Sequence, residues 1–106
     1  MKIDATKGYG ADIIFFDRYN DDIDQIIEET TLKTGMTFIS PFDNYNVIAG
    51  QGTCGKELFE EVGELDHLIM GIGGGGLISG CSLSAKELSK NCMIWGVEPE
   101  GGDDAR

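Results

Sequence analysis

Four consecutive glycines at residues 73–76 constrain this chain more than any other stretch. They stand between an apolar run at residues 67–70, which predicts a short buried strand, and residues 77–88, which can form a helix. The first N–H groups of a helix have no partner inside it, and the helix dipole adds about half a positive charge there. Glycines also let the backbone approach a ligand closely, because no Cβ stands in the way. We therefore interpret the turn as a phosphate-binding loop rather than as a plain tight turn, for which two glycines would suffice.

The remaining pattern predicts an α/β protein with a parallel sheet and flanking helices. Apolar runs bounded by turn-forming residues predict four strands, at residues 12–17, 36–39, 67–70 and 93–97. Three helices are predicted between them: one capped by Asn20 or Asp21 and ended by Gly35, one over residues 47–62, and one over residues 77–88. Strands that alternate with helices of this length are typical of βαβ units.

The helix predicted at residues 47–62 contains more glycine in its first half than helix stability favours. Gly50 and Gly52 lie there, and each glycine costs about 1 kcal/mol relative to alanine in a helix interior. We expect these positions to be approached closely by another backbone or by a ligand, and the sequence leaves both alternatives open.

The charge balance excludes several classes of partner. Eight basic residues against nineteen acidic ones give the 106-residue chain a formal charge of −11, which repels nucleic acid and anionic membranes. An anionic ligand must therefore be held by local N–H groups. No run approaches the roughly 20 apolar residues of a membrane span, and Asp4 interrupts any leader-like pattern at the start.

The cysteines and the single histidine indicate structural roles. Cys54, Cys81 and Cys92 lack the spacing of a zinc site, and we expect buried thiols in a reducing compartment. We therefore expect a cytoplasmic protein. His67 is the only histidine and belongs to no recognisable pair with a carboxylate or a thiol, so we interpret it as structural rather than catalytic.

A dinucleotide-binding site is a real alternative for the same glycines. Gly71, Gly73 and Gly76 match G-x-G-x-x-G, and Glu98 follows 22 residues later, where such a fold places the carboxylate that binds a ribose. However, four contiguous glycines favour a backbone cradle for a single phosphate group. Pro99 and the acidic residues after it also suggest that Glu98 faces other oxygen atoms.

The acidic residues near the end of the sequence form a second group of candidate ligands. Glu98, Asp103 and Asp104, with the carbonyl groups of Gly101 and Gly102, are hard oxygen ligands of the kind that Mg²⁺ or Ca²⁺ prefers. The alternative is a solvated acidic loop.

Three motifs together resemble one enzyme group. They are Asn-Val-Ile-Ala-Gly-Gln-Gly-Thr at 46–53, Gly-Gly-Gly-Gly-Leu-Ile-Ser-Gly at 73–80, and Gly-Val-Glu-Pro at 96–99. In order and spacing they are similar to the fold-type II pyridoxal-phosphate enzymes, in particular the threonine/serine dehydratase (ammonia-lyase) and serine racemase group. The resemblance implies part of a tryptophan synthase beta-like fold, with residues 1–40 ending the small domain and residues 41–106 beginning the large one.

The resemblance also implies roles for particular residues. The phosphate of pyridoxal 5'-phosphate would be held by the glycine loop and the N–H that follows it: Gly73, Gly74, Gly75, Gly76 and Leu77. The ligands of a divalent cation (Mg²⁺, Ca²⁺ or Mn²⁺) would be Glu98, the carbonyl of Gly102 and the carboxylate of Asp104.

The same resemblance indicates what this chain does not carry. The Schiff-base lysine of the group lies in a Ser-x-Lys-x-Arg-type segment upstream, and no lysine here has that context, so we assign no catalytic residue. Ser40 stands where relatives often have histidine before Pro-Phe-Asp, which leaves the substrate open. We expect an internal or truncated piece of a homo-oligomeric ammonia-lyase for a hydroxy amino acid. The alternatives are a serine racemase or β-replacement enzyme on the same fold, an NAD-binding domain, and a non-catalytic fragment.

Overall fold

The computed structural model describes residues 1–103 and 105 of the chain. Two compact units can be distinguished, one from Met1 to Phe38 and one that begins at Ile39. The first unit contains only helices among its regular elements, and the second contains a βαβ unit with a further helix.

The first unit consists of α1 (Lys2–Gly8) and α2 (Ile23–Thr34). Helix α2 begins after Asp22, whose carboxylate accepts hydrogen bonds from the N–H groups of Asp24 and Gln25 at 3.0 and 3.2 Å. The predicted caps, Asn20 and Asp21, therefore lie two residues and one residue before the observed cap, Asp22. Asp21 is engaged elsewhere, because its carboxylate accepts a hydrogen bond from the N–H of Asp17 at 2.7 Å.

The predicted end of α2 is confirmed. Gly35 caps the helix with a φ of 71°, in the left-handed region, and its N–H donates to the carbonyl of Thr31.

The strands predicted at residues 12–17 and 36–39 are wrong. Neither segment is a strand, since neither shares a hydrogen-bond ladder with a described strand. Their apolar side chains are correspondingly exposed, for example 65% at Phe15 and 67% at Met36. An apolar run indicates a tendency to be buried, but it does not supply the neighbouring strand.

The second unit contains α3 (Tyr45–Val62), β1 (His67–Gly71), α4 (Gly76–Leu88), β2 (Met93–Val97) and a 3-10 turn at Glu100–Gly102. Strands β1 and β2 pair in parallel, with His67 opposite Met93 and Gly71 opposite Val97. The predicted βαβ unit and its parallel sheet are thus confirmed, with helix and strand ends shifted by one or two residues.

Helices α3 and α4 cross at small residues. A Cβ added to Gly52 would lie 3.0 Å from the carbonyl oxygen of Gly80, and one added to Gly55 would lie 3.1 Å from the Cα of Cys81. The hydroxyl of Ser84 also donates to the carbonyl of Gly52 at 2.6 Å. The close approach expected in α3 is therefore made by another helix at Gly52, whereas Gly50 has no neighbour within 4 Å of an added Cβ.

The core of the second unit is small. Phe59, Cys81 and Ala85 are its buried apolar residues among those described. Of the thiols, Cys81 is fully buried and Cys92 is half-buried, but Cys54 is exposed, so the expectation of three buried thiols is wrong for Cys54. Cys54 immediately precedes Gly55, the residue that faces α4, and so lies at the edge of the crossing.

One face of the two-stranded sheet is open to solvent. Ile69, Trp95 and Val97 are each more than half exposed, whereas Leu68 and Ile94 on the opposite face are half-buried. The indole N–H of Trp95 donates to Nδ1 of His67 at 3.0 Å, which gives the imidazole a structural partner. In the part of the chain that is described, no helix is long and apolar enough to cross a membrane.

Candidate functional site

The glycine loop joins the carboxyl end of β1 to the first turn of α4. Three backbone hydrogen bonds define its path. The N–H of Ile72 donates to the carbonyl of Val97, which extends the β1–β2 ladder, and the N–H of Gly75 donates to the carbonyl of Ile72 at 2.9 Å. The N–H of Ser79 then donates to the carbonyl of Gly75 at 3.0 Å, which is the first bond of the helix.

The four glycines are required for two different reasons. Gly73 and Gly75 have φ values of +53° and +87°, in the left-handed region that L side chains rarely adopt. Gly74 and Gly76 instead lie against Phe42. A Cβ on Gly74 would overlap the Phe42 ring, and a Cβ on Gly76 would lie 3.1 Å from the Cα of Phe42.

The loop presents free donors at the start of α4. Among the described residues, no oxygen accepts a hydrogen bond from the N–H groups of Gly73, Gly74, Gly76 or Leu77. These donors lie at the positive end of the helix dipole, where an anion is stabilised. Residues 71–80 contain neither lysine nor arginine, so backbone groups must provide the attraction. Clustered N–H donors, three of the four on glycines, fit a phosphate group such as that of pyridoxal phosphate.

The acidic segment lies next to this loop. A cavity of about 340 Å³ is lined by Ile72 at the start of the loop, by Gly96 and Glu98 on one side, and by Asp103 and Ala105. One carboxylate oxygen of Glu98 accepts a hydrogen bond from the N–H of Ala105 at 3.1 Å. The segment after β2 therefore folds back toward Glu98.

The predicted cation ligands are only partly covered by the structure. Glu98 is half-buried at the end of β2, and the N–H of Gly102 donates to the carbonyl of Pro99 at 2.9 Å. Asp104 lies outside the described residues. Within residues 1–103 and 105, no three His, Cys, Asp or Glu side chains are grouped so that they could hold a metal ion. The cation site stays a prediction.

The second unit contains three exposed lysines: Lys56, Lys86 and Lys90. Lys86 lies in the last turn of α4, about 15 Å along the helix from the loop. Lys56 on α3 forms an ion pair with Glu60 at 3.2 Å.

Phe42 is the site residue that sequence reasoning missed. It follows a proline in a segment that the sequence marks only as a turn, and it contacts glycines more than thirty positions later. The only sign of this contact in the sequence is that the loop has more glycines than a tight turn needs. Glycine is required where another group occupies the space of a side chain.

Comparison with known proteins identifies the family to which this chain belongs. A family model described as "Pyridoxal-phosphate dependent enzyme" matches residues 1–106. The chain therefore belongs to this family, and pyridoxal phosphate, rather than NAD, is the cofactor that the family match supports.

Similar curated proteins include a racemase and an ammonia-lyase. The chain is 51% identical to a serine racemase of Schizosaccharomyces pombe over 105 residues, and 52% identical to an L-threo-3-hydroxyaspartate ammonia-lyase of Saccharomyces cerevisiae over 106 residues. These matches cover 99% and 100% of the chain and 32% of each relative.

A solved structure agrees with the sequence matches. The serine racemase of Dictyostelium discoideum matches with a TM-score of 0.84 and 39% identity, covering 98% of this chain and 34% of that one. The resemblance to the fold-type II enzymes is thus confirmed. The chain spans about a third of the length of the curated relatives it matches.

Proposed function

We propose that this chain forms the phosphate-binding part of a pyridoxal-phosphate-dependent ammonia-lyase that acts on a small hydroxy amino acid. The observation that carries the proposal is the cluster of free N–H groups at the start of α4, in a chain of this family. The ammonia-lyase relative at 52% identity supports the reaction class. The bound cofactor would supply an electron sink for a carbanion at the substrate Cα.

The chain's own contribution is to bind and orient. The phosphate is held by the free N–H groups of the loop and of the residue that follows it: Gly73, Gly74, Gly76 and Leu77. Gly75, predicted as a fifth donor, instead shapes the loop, because its N–H is bonded to the carbonyl of Ile72. Hydrogen bonds to a charged group contribute about 1.5–3 kcal/mol each, so a few of these donors are enough to fix the position of a small ligand. Because the loop is tied to the sheet through Ile72 and Val97, it holds the phosphate in a fixed relation to β1 and β2.

Two further assignments complete the proposal. Residues 1–40 end a small domain and residues 41–106 begin the large one, and the division of the chain into two compact units near residue 38 supports this arrangement. Glu98, the carbonyl of Gly102 and the carboxylate of Asp104 would hold a divalent cation, a role suited to their oxygen chemistry.

A serine racemase is the second candidate, because the relative at 51% identity carries that name. The loop cannot distinguish the two, since it would hold the same phosphate in both. We therefore propose a product assay on a longer protein that contains this chain. L-serine, L-threonine and L-threo-3-hydroxyaspartate are each supplied, and ammonia, 2-oxo acid and D-serine are measured. Ammonia with a 2-oxo acid supports the lyase, and D-serine as the main product from L-serine favours the racemase instead.

The isolated chain is expected to lack this activity, because it holds no lysine suited to the reaction. Release of 2-oxobutyrate from threonine by the purified 106-residue chain would refute that expectation. Borohydride reduction in the presence of pyridoxal phosphate, followed by peptide mass mapping, gives an independent test. We expect no lysine to be labelled stoichiometrically, whereas one fully labelled lysine would mean that the catalytic base lies in this chain.

A further inference from the structure

Phe42 packs against two glycines of the loop, with its ring at Gly74 and its Cα and Cβ at Gly76. The three atoms nearest to an added Cβ on Gly74 are all ring carbons of Phe42, and Cε1 is 2.9 Å away. An added Cβ on Gly76 would lie 3.1 Å from the Cα of Phe42 and 3.3 Å from its Cβ. One residue therefore accounts for the absence of a side chain at two of the four loop positions.

Gly74 differs from its neighbours in the loop. Gly73 and Gly75 have left-handed backbones that strain any side chain, whereas the φ of Gly74 lies outside that region. Its backbone could accept alanine, and the obstacle is the Phe42 ring. A glycine at position 74 is thus explained by contact with this ring and not by the conformation of the turn.

Phe42 is itself held by the segment that starts α3. The N–H of Asn44 donates to the carbonyl of Phe42 at 3.1 Å, and the N–H of Asp43 donates to the hydroxyl of Ser40 at 3.1 Å. The side chain of Asn44 also caps α3, accepting from the N–H groups of the residues two and three positions later at 2.9 and 3.3 Å. The ring is therefore attached to a well-bonded helix start.

The exposure of Phe42 argues against a role in the core. Its side chain is 44% exposed, whereas Phe59, between the crossing helices, is 4% exposed. Loss of the Phe42 ring would therefore remove less buried surface than loss of the Phe59 ring. It would instead free a loop of four glycines, the residues that lose most conformational freedom when they become ordered.

We propose that Phe42 is a positioning residue that holds the glycine loop in its phosphate-binding conformation before the ligand arrives. The proposal rests on the proposed function of the loop. With the ring in place, the free N–H groups are already arranged, and binding does not have to order the loop. Without the ring, the same donors are present but the loop samples other conformations.

The first test compares pyridoxal phosphate affinity with fold stability in the 106-residue chain. We expect Phe42→Ala to weaken the affinity for pyridoxal phosphate at least tenfold while the chain stays folded in the absence of urea, and Phe42→Leu to recover most of the affinity. The matched control is Phe59→Leu, which should lower the urea midpoint and leave the affinity unchanged. Inorganic phosphate serves as a second probe and should follow the same order.

Two negative results can be distinguished. Wild-type chain that binds neither pyridoxal phosphate nor phosphate would overturn the proposed function, and this inference with it. If the wild-type chain binds pyridoxal phosphate and Phe42→Ala binds it equally well, only the inference about Phe42 is overturned.

A double-mutant cycle tests the contact itself. Gly74→Ala should weaken binding at least tenfold when Phe42 is present, because the added methyl displaces the ring. In the Phe42→Ala background the same change should weaken binding no more than twofold. Gly73→Ala is the control and should be harmful in both backgrounds, because its backbone is strained. Equal effects of Gly74→Ala in both backgrounds would show that ring and glycine act independently and would overturn the proposal.

Discussion

Replacement of Gly80 by alanine tests the packing that supports the loop, because α4 carries the loop at one end and crosses α3 at Gly80. A Cβ at this position would overlap the backbone nitrogen of Gly52 and the carbonyl oxygen of Ile48, and would lie 2.9 Å from the carbonyl carbon of Gln51. All three are backbone atoms of α3, so no change of side-chain rotamer can relieve the contact. The two helices must move apart.

The size of the effect follows from two opposing terms. Alanine is better than glycine in a helix interior by about 1 kcal/mol. To restore ordinary contact with Gln51 alone, the helices must separate by about 0.5 Å, and such a gap weakens dispersion contacts along the whole crossing. Overpacking of this kind costs about 1–3 kcal/mol, and rigid backbone atoms place Gly80 at the upper end. We expect a net loss of about 2 kcal/mol, or roughly 10 °C in Tm for a chain of this size.

Gly50 provides the matched control. It lies in α3, and an added Cβ meets nothing within 4 Å. Gly50→Ala should therefore stabilise the chain by up to about 1 kcal/mol. Urea unfolding of both variants and of the wild type, followed by circular dichroism at 222 nm and by Trp95 fluorescence, measures the difference. Equal midpoints for Gly80→Ala and Gly50→Ala would refute the description of the crossing.

Three other predictions concern single side chains. Burial, followed by the neighbouring Cys54, raises the pKa of the Cys81 thiol above its ordinary value of 9.0. The folded chain then keeps a proton that the unfolded chain releases, so the urea midpoint should fall as the pH rises above about 9. The fall should be smaller in Cys81→Ala. An equal dependence of the midpoint on pH in the two proteins would contradict this prediction. His67→Phe removes the acceptor of the Trp95 indole N–H, so the Trp95 emission spectrum should differ from that of the wild type at the same pH. Identical spectra would contradict this hydrogen bond. Asn44→Ala removes the cap of α3 and should lower the free energy of unfolding by about 1 kcal/mol, and an unchanged urea midpoint would contradict the capping role.

The elements that could be predicted from the sequence are those with local causes. The βαβ unit from β1 to β2 is marked by two short apolar runs, a glycine loop and a helix of suitable length. The end of α2 at Gly35 is likewise a local feature, because a left-handed cap needs one residue that tolerates it.

The errors arise from interactions that the sequence pattern does not show. The runs at residues 12–17 and 36–39 have the composition of strands, but pairing depends on a neighbour that the described chain does not place beside them. The choice of Asp22 rather than Asp21 as a cap depends on which carboxylate is already bonded to the N–H of Asp17. The sequence does not show that competition.

The free N–H groups of the glycine loop could be predicted from the sequence, whereas the contact between Phe42 and the loop could not. A run of glycines before a helix indicates free N–H groups, and these are present at Gly73, Gly74 and Gly76. The contact of Phe42 with Gly74 joins residues far apart in the chain, and no periodicity indicates it. The reason for each glycine depends on its φ angle and on the atoms around it, which only the structure gives.

The central claim is that the backbone N–H groups of the glycine loop hold the phosphate of the cofactor. Amide chemical shifts of the ¹⁵N-labelled chain, recorded with pyridoxal phosphate, with inorganic phosphate and with pyridoxal, test it most directly. We predict that both phosphate-bearing ligands shift the amide signals of Gly73, Gly74, Gly76 and Leu77, and that pyridoxal without phosphate does not. Shifts confined to other parts of the chain, or equal shifts with pyridoxal, would contradict the claim.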